Sequence, residues 1–83
     1  MSPFWMEGTP IQVEQNGEQV LAFVWQGQRH EVMAMTRRWR VDEGWWGVRV
    51  WRDYAKLTTH SGLLVIVFQD LLTGVWYLQR LYD

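Results

Sequence analysis

Arginine and tryptophan are concentrated in residues 37–54, where side chains with strong binding chemistry recur every few positions. This stretch holds four of the seven tryptophans and five of the eight lysine and arginine residues of the chain. A guanidinium group over an indole ring is a favourable cation–π pair, and both residue types dominate binding hot spots and surfaces on which single-stranded bases stack. We therefore predict a recognition surface in this stretch.

Within that stretch, one tryptophan is the strongest single candidate for partner contact. Trp45 and Trp46 are consecutive, so in an extended chain their side chains point to opposite faces and at least one indole should be exposed. Arginines lie close to it on both sides in the sequence. The full set of predicted partner-binding residues is Arg38, Arg40, Trp45, Trp46, Arg49, Arg52 and Tyr54.

The charge pattern leaves two interpretations of these arginines open. Net charge is −1, yet residues 28–56 carry seven basic against four acidic residues, and the rest of the chain is acidic. A near-neutral chain argues against strong duplex binding, which needs a basic footprint. The arginines form a weak basic face, or they pair with nearby carboxylates on a solvated strand face. Asp42 and Glu43 are expected to end a strand and to pair with Arg38, Arg40 or Arg52. Asp53 either satisfies a buried arginine or indole, or contacts a ligand.

Residues that could support catalysis or bind a cofactor are scarce. His60 lies beside Ser61 in a predicted turn without a third group to orient the pair, and His30 is expected to cap a strand edge. No cluster of His and carboxylates has metal-ligand spacing, and no glycine-rich phosphate loop is present. We predict a protein that is not an enzyme and has no cofactor.

Size and composition indicate one small domain. Eighty-three residues without cysteine must rely on a dense aromatic core or on oligomerisation for stability. No apolar run is longer than that from Leu63 to Phe68, which is far shorter than the roughly 20 residues of a membrane span, and the N-terminus has no secretory pattern. These features predict a soluble, cytoplasmic protein with no membrane association.

The elements that must position these residues are all strands. Runs rich in Val, Trp, Tyr, Phe and Thr alternate with turn signals, which favours a small antiparallel meander of about six strands, folded as a strongly bent sheet or a small barrel. Residues 1–9 are a tail that is loose or docks Phe4 and Trp5 on a neighbour. The predicted strands are Pro10 to Gln15, Gln19 to Gln26, about Arg29 to Val41, Val48 to Thr59, Leu63 to Gln69 and Val75 to Tyr82.

The turns and the remaining tryptophans complete this prediction. Asp42-Glu43-Gly44 is expected to break the third strand before Trp45 and Trp46 lead into the fourth. Trp25 and Trp76 lie in strands with an alternating pattern and are expected in the core. Trp39 and Trp51 flank the turn and could face each other across the two strands, as stabilising cross-strand aromatic pairs do.

A set of short motifs in the last two thirds of the chain resembles a known family. These are Arg38-Trp39-Arg40-Val41-Asp42-Glu43-Gly44-Trp45-Trp46, Arg52-Asp53-Tyr54, Asp70 with Thr73-Gly74, Trp76-Tyr77-Leu78 and the terminal Tyr82-Asp83. They look like a small uncharacterised bacterial domain family that occurs alone and is similar to the C-terminal end of ImuB-type proteins. Those proteins are Y-family-polymerase-like subunits of translesion-synthesis machinery. The resemblance implies a DNA-repair context and a binding role, but no polymerase activity, because the polymerase-like part is missing.

Two hypotheses for function follow. The first is a non-enzymatic binding or adaptor module whose Arg/Trp surface contacts a protein or a single-stranded nucleic acid. The second is a homo-oligomer in which the aromatic residues form the core and a dimer interface.

Overall fold

The computed structural model describes residues 8–82, apart from the side chain of Trp45, and shows an all-β domain. Every strand boundary except one lies within about one residue of its predicted position. The strands are β1 (Thr9–Asn16), β2 (Gln19–Trp25), β3 (Gln28–Trp45), β4 (Val48–Thr59), β5 (Leu64–Asp70) and β6 (Trp76–Tyr82). In this part of the chain there is no helix long and apolar enough to span a membrane.

The six strands form a closed antiparallel barrel in sequence order. Each strand pairs with the next, and β6 returns to β1 through a short seam in which Thr9 is opposite Leu78 and Ile11 is opposite Trp76. The predicted small antiparallel meander is confirmed, and the barrel is the correct one of the two forms. Closure pairs β1 with β6, the two strands that would be the edges of a bent open sheet.

The barrel interior is filled by apolar side chains that alternate along the strands. Because side chains of a strand alternate between faces, each strand contributes every second residue to this inner face, except where a bulge shifts the pattern. Phe23, Leu57, Val65 and Val67 have no exposed surface. The other buried members of the core are Val20, Ala55, Trp76 and Leu78.

The boundary between β3 and β4 differs from the prediction. Asp42, Glu43 and Gly44 do not break β3 but pair with Trp51, Val50 and Arg49 of β4. The reversal occurs at Trp46 and Gly47, whose φ angles of 53° and 78° are those of a two-residue hairpin turn with left-handed residues at both central positions. A glycine at the second central position therefore set the turn, while Gly44 stayed in the strand.

The β3–β4 hairpin extends beyond the barrel as a two-stranded arm, which we define as residues 42–51. The last pair that joins β4 to β5 is Arg52 with Asp70, so the strands of the arm pair only with each other within the described chain. A backbone hydrogen bond of 2.8 Å from the Leu71 amide to the Trp51 carbonyl closes its base. At about 3.4 Å per residue, the arm projects roughly 14 Å.

The predicted behaviour of the N-terminal tail, with Phe4 and Trp5 loose or docked, falls mainly on residues 1–7, which lie outside the described residues. Gly8, the first described residue, lies against the outer surface of the barrel. A Cβ atom placed on it would be 3.1 Å from Cβ of Tyr77 and 3.3 Å from the Phe68 ring. Its φ of 143° also disfavours any residue other than glycine.

Candidate functional site

The predicted arginines of β3 lie on the inner face and are bound to a buried carboxylate. Arg38 donates two hydrogen bonds to Asp53, one of 2.6 Å from Nη2 and one of 3.2 Å from Nε. Asp53 is 6% exposed, and its hydrogen bonds raise the pKa of Arg38 above the ordinary arginine value. A further bond of 2.5 Å from Arg38 reaches the Glu18 carbonyl in the β1–β2 turn. Arg38 thus ties two hairpins together. Of the alternatives for Asp53, the structure shows the pairing with an arginine, although Arg38 itself is partly exposed.

Arg40 and Arg49 are also paired with carboxylates on this face. Arg40 is 3.8 Å from Asp53, and Arg49 is 3.2 Å from Asp42. The Arg49 guanidinium also lies 4.5 Å from the centroid of the Trp51 ring. The expected pairing of Asp42 with Arg38, Arg40 or Arg52 is wrong, because the strand continues through Asp42 and brings Arg49 across from β4.

Arg52 and Tyr54 point to the opposite, outer face of the sheet and support an aromatic layer there. Arg52 donates a 3.1 Å hydrogen bond to the Tyr54 hydroxyl and lies 4.4 Å over the Phe68 ring. Both side chains are only 8% exposed. The prediction grouped these two residues with Arg38 and Arg40, but the structure separates the two pairs by the thickness of the sheet.

The outer layer is a row of four rings that crosses four strands, which we call the aromatic row. Its members are directly opposite one another in the strand register and lie 5.0–5.2 Å apart between ring centroids. The first pair, Trp39 and Tyr54, is stacked with an interplanar angle of 5°. The row consists of Trp39, Tyr54, Phe68 and Tyr77.

The tryptophans otherwise follow the prediction only in part. Trp76 is buried in the core and Trp25 packs against it while partly exposed. Trp39 and Trp51 do not face each other, because the register places Tyr54 opposite Trp39 and Asp42 opposite Trp51. The later turn position shifts the register by several residues from the predicted hairpin.

Trp46 is the exposed tryptophan at the tip of the arm. Its side chain is 86% exposed, the largest value among the exposed apolar residues described. A shallow recess beside it is lined by Gly44, Val48 and Arg49. The prediction that one residue of the tryptophan pair would be exposed is confirmed for Trp46, while the Trp45 side chain lies outside the description.

Three cations that the sequence analysis did not select lie in one line on the outer face, next to the aromatic row. Arg37 is opposite Lys56, Lys56 is opposite Ile66, and Ile66 is opposite Arg80. Opposite residues in antiparallel strands share a face. We call Arg37, Lys56 and Arg80 the basic row. With strands about 4.8 Å apart, it spans roughly 14 Å.

The basic row differs from the inner-face arginines in its partners. Within residues 8–82, none of its three cations lies within 4.0 Å of a carboxylate oxygen. They lie instead near rings: Arg37 is 4.9 Å from Trp39, and Tyr82 has Arg80 at 5.6 Å and Lys56 at 5.8 Å. Both rings are half-exposed. The part of the outer face around the basic row is therefore positive and partly aromatic.

Two β-bulges place the ends of the basic row on the outer face. Met35 pairs with the core residue Leu57, yet Arg37, two residues later, pairs with outward-facing Lys56. In β6, Leu78 lies in the core while Arg80 faces outward. In a regular strand, residues two apart share a face, so each bulge re-aims an arginine that would otherwise enter the core. Bulges of this kind are frequent next to functional sites.

The histidines form no complete catalytic arrangement among the described residues. His30 is buried, not at a strand edge as expected, and its ring lies 5.4 Å from Phe23. Nδ1 of His30 is 3.0 Å from the Ser61 hydroxyl, which is 2.8 Å from that of Thr59. Ser61 thus contacts His30 rather than its neighbour His60. Among residues 8–82, no carboxylate forms a hydrogen bond or salt bridge with His30. The same residues hold no group of three side chains that could bind a metal ion.

Comparison with known proteins adds no assignment. No protein family, curated protein or solved structure matches the chain. The resemblance to the C-terminal end of ImuB-type proteins therefore stays a prediction.

Proposed function

We propose that this domain is a non-enzymatic binding module that holds a single-stranded nucleic acid on its outer face. The observation that carries the proposal is the basic row, whose three cations have no carboxylate partner in the described chain. A folded domain gains little from three like charges in one line. A phosphate backbone that crosses the strands would neutralise them and release its counterions.

The aromatic residues beside the row suit unpaired bases. Trp39 and Tyr82 are half-exposed and carry cations over their rings. An incoming base can displace a guanidinium from the ring and stack in its place, while the long side chain moves outward to a phosphate. Base–aromatic stacking contributes about 1–3 kcal/mol per base and requires no particular sequence. Duplex DNA offers no such exposed base faces.

Part of the aromatic row is covered by the protein, and this limits the path that a single-stranded nucleic acid can take across the outer face. Phe68 is 2% exposed and Gly8 packs across it and Tyr77. The accessible ring of the aromatic row is therefore Trp39, at its β3 end. A second accessible ring, Tyr82, lies outside the aromatic row, on the far side of the basic row. A single-stranded nucleic acid that follows the basic row from Arg37 to Arg80 passes the rings of both Trp39 and Tyr82. The resemblance to a translesion-synthesis subunit supports a DNA-repair setting for this binding.

The experiment compares two double variants with equal charge change on opposite faces. Arg37→Gln/Arg80→Gln removes the ends of the basic row, and Arg40→Gln/Arg49→Gln removes two inner-face arginines that are also exposed. Binding of a fluorescent oligothymidylate is measured over a range of salt concentrations. We expect the first variant to bind roughly tenfold more weakly at low salt and to reduce the slope of log K against log salt by about 1.4, or 0.7 per phosphate contact.

The inner-face variant is expected to bind like the wild-type protein. Equal weakening by both variants would indicate a response to net charge alone and would reject the site. Failure of the wild-type protein to bind at low salt would reject a single-stranded nucleic acid as the ligand.

Self-association is the second candidate, and one observation favours it. From Val32 to Trp45, β3 pairs only with β4 within the described chain, so its other edge presents backbone groups that a second copy could bind. Met33 on this segment is 59% exposed. A dimer would show a mass that doubles with concentration in sedimentation equilibrium, whereas a constant monomer mass would reject it.

A further inference from the structure

The turn at the tip of the arm holds a tryptophan in a backbone conformation that disfavours it. Trp46 has a φ of 53°, in the left-handed region that glycine, asparagine and aspartate adopt most readily. A bulky residue there is costly, and such strain persists mainly at functional sites. The β2–β3 turn has almost the same geometry, with φ angles of 53° and 74° at Gln26 and Gly27. The fold therefore does not require tryptophan at this position.

The Trp46 side chain contributes nothing visible to the stability of the barrel. It lies beyond the last β4–β5 pair and is 86% exposed, next to Val48, which is 47% exposed. Trp46 is thus a large indole at the end of a projecting two-stranded hairpin. Tryptophans of this kind often dominate the binding energy of a protein interface once a partner buries them. Its burial would remove up to about 250 Å² of mostly apolar surface from water.

The charges of the arm distinguish it from the basic row. Residues 42–51 contain Asp42 and Glu43 but one cation, Arg49. That cation is engaged by Asp42 at 3.2 Å and by the Trp51 ring at 4.5 Å. The arm thus combines an apolar tip with a formal net charge of −1 over residues 42–51, which disfavours phosphates and anionic lipid headgroups.

We propose that the tip of the arm is a docking site for a protein that has an apolar pocket with a cationic rim. Trp46 enters the pocket, Val48 packs beside it, and Glu43 faces the rim. This site is separate from the basic row, so one domain could bind a nucleic acid and a protein at the same time. The inference does not rest on the proposed nucleic-acid binding.

The test begins with a photo-crosslinking residue, benzoylphenylalanine, placed at position 46 or, as a matched control, at position 26 in the equivalent turn. Both variants are produced in the cells that make this chain. We expect one protein adduct specific to position 46, and that protein is then purified. Absence of an adduct specific to position 46, or an adduct with nucleic acid, would overturn the proposal.

Binding of the purified partner is then measured by calorimetry with wild-type protein, Trp46→Asn and Gln26→Asn. Asparagine tolerates the left-handed conformation, so Trp46→Asn should melt at the same temperature as the wild-type protein or higher. We expect it to bind the partner about thirtyfold more weakly, as loss of a hot-spot residue does, and Gln26→Asn to bind like wild type. Equal affinity of the wild-type and Trp46→Asn proteins would overturn the proposal.

A lipid surface is tested with the same pair of variants and vesicles of phosphatidylcholine. We expect no change in tryptophan fluorescence for either protein. A blue shift in the wild-type protein that Trp46→Asn lacks would assign the tip to a membrane instead.

Discussion

Arg37 and Arg38 are adjacent in the sequence and lie on opposite faces of β3, where they have opposite surroundings. Arg38 faces inward, donates two hydrogen bonds to Asp53 and one to a neighbouring hairpin. Arg37 faces outward over Trp39 and has no carboxylate within 4.0 Å in the described chain. An arginine thus links two hairpins by hydrogen bonds at position 38, while at position 37 it is a surface charge without a carboxylate partner.

The comparison extends to whole faces of the sheet. On the inner face, the arginines at positions 38, 40 and 49 each meet an aspartate. On the outer face, the basic row meets aromatic rings. A local excess of arginine in a strand therefore combines two populations, and only the population without carboxylate partners is available to an anionic ligand.

The largest expected effect comes from removing the carboxylate of the inner face. Asp53→Ala leaves the guanidinium of Arg38 partly buried and close to Arg40 without a counter-charge. Breaking a buried ion pair from one side costs about 3 kcal/mol, which for a domain of this size lowers the melting temperature by more than about 10 °C. Urea denaturation followed by circular dichroism measures the change.

Asp42→Ala is the matched control, since Asp42 also accepts from an arginine but its side chain is 53% exposed. Its unfolding free energy should stay within about 0.5 kcal/mol of the wild-type value. Similar losses in the two variants would show that the Arg38–Asp53 contact is no more structural than a surface pair.

The adjacent arginines give the next largest effect, because each should change a different measurement. Arg38→Gln is expected to lower the unfolding free energy by about 2 kcal/mol, since it leaves a buried carboxylate without its main donor. Arg37→Gln should change stability by less than about 0.5 kcal/mol but reduce the salt slope of oligothymidylate binding by about 0.7. Urea denaturation and fluorescence titration of both variants separate the roles. Loss of stability in Arg37→Gln equal to that of Arg38→Gln would remove the distinction between the faces.

The fold was largely predictable because strand and turn chemistry is local. Asn16-Gly17 and Gln26-Gly27 mark hairpins in the sequence, and the runs between them have the composition of strands. The end of β3 was missed because Asp42-Glu43-Gly44 also has turn composition. The sequence does not show that a turn at Trp46-Gly47 lets β3 and β4 pair along their whole length, up to Trp45 opposite Val48.

The faces could not be predicted, because bulges are not visible in the sequence. Counting alternate residues from the core residue Met35 would place Arg37 inside and Arg38 outside, the reverse of what the structure shows. The same count from Leu78 would place Arg80 inside. The predicted set therefore contained the paired arginines and omitted the basic row. The spacing of Arg37 with Trp39 and of Arg80 with Tyr82 was the available signal, since residues two apart share a face when no bulge separates them.

The smallest expected effect on stability concerns Arg29. It tests whether an outward-facing position is enough to leave an arginine without a carboxylate partner. Arg29 points outward on β3, but Glu14 lies 2.7 Å away and Glu31 3.4 Å away. Hydrogen bonds from Arg29 lower the pKa of Glu14 below its ordinary value. An outward position is therefore not sufficient, and what sets the basic row apart is that no carboxylate oxygen of the described chain lies within 4.0 Å of its cations.

Because the pKa of Glu14 is lower in the folded than in the unfolded chain, its ionised form stabilises the fold above the unfolded pKa, and this contribution is lost as pH falls through the folded pKa. Glu14→Gln should thus melt slightly below the wild-type protein at pH 7, and the difference should shrink as the pH falls below the ordinary glutamate pKa of about 4.3. Glu18→Gln, which removes a turn carboxylate whose side chain has no ion pair in the described chain, is the control for the loss of one negative charge. Melting curves at these pH values in low salt give the comparison. A difference for Glu14→Gln that does not shrink at all, or that grows, on acidification would mean that Glu14 acts through packing rather than charge, and that Arg29 is closer in character to the basic row than its contacts indicate.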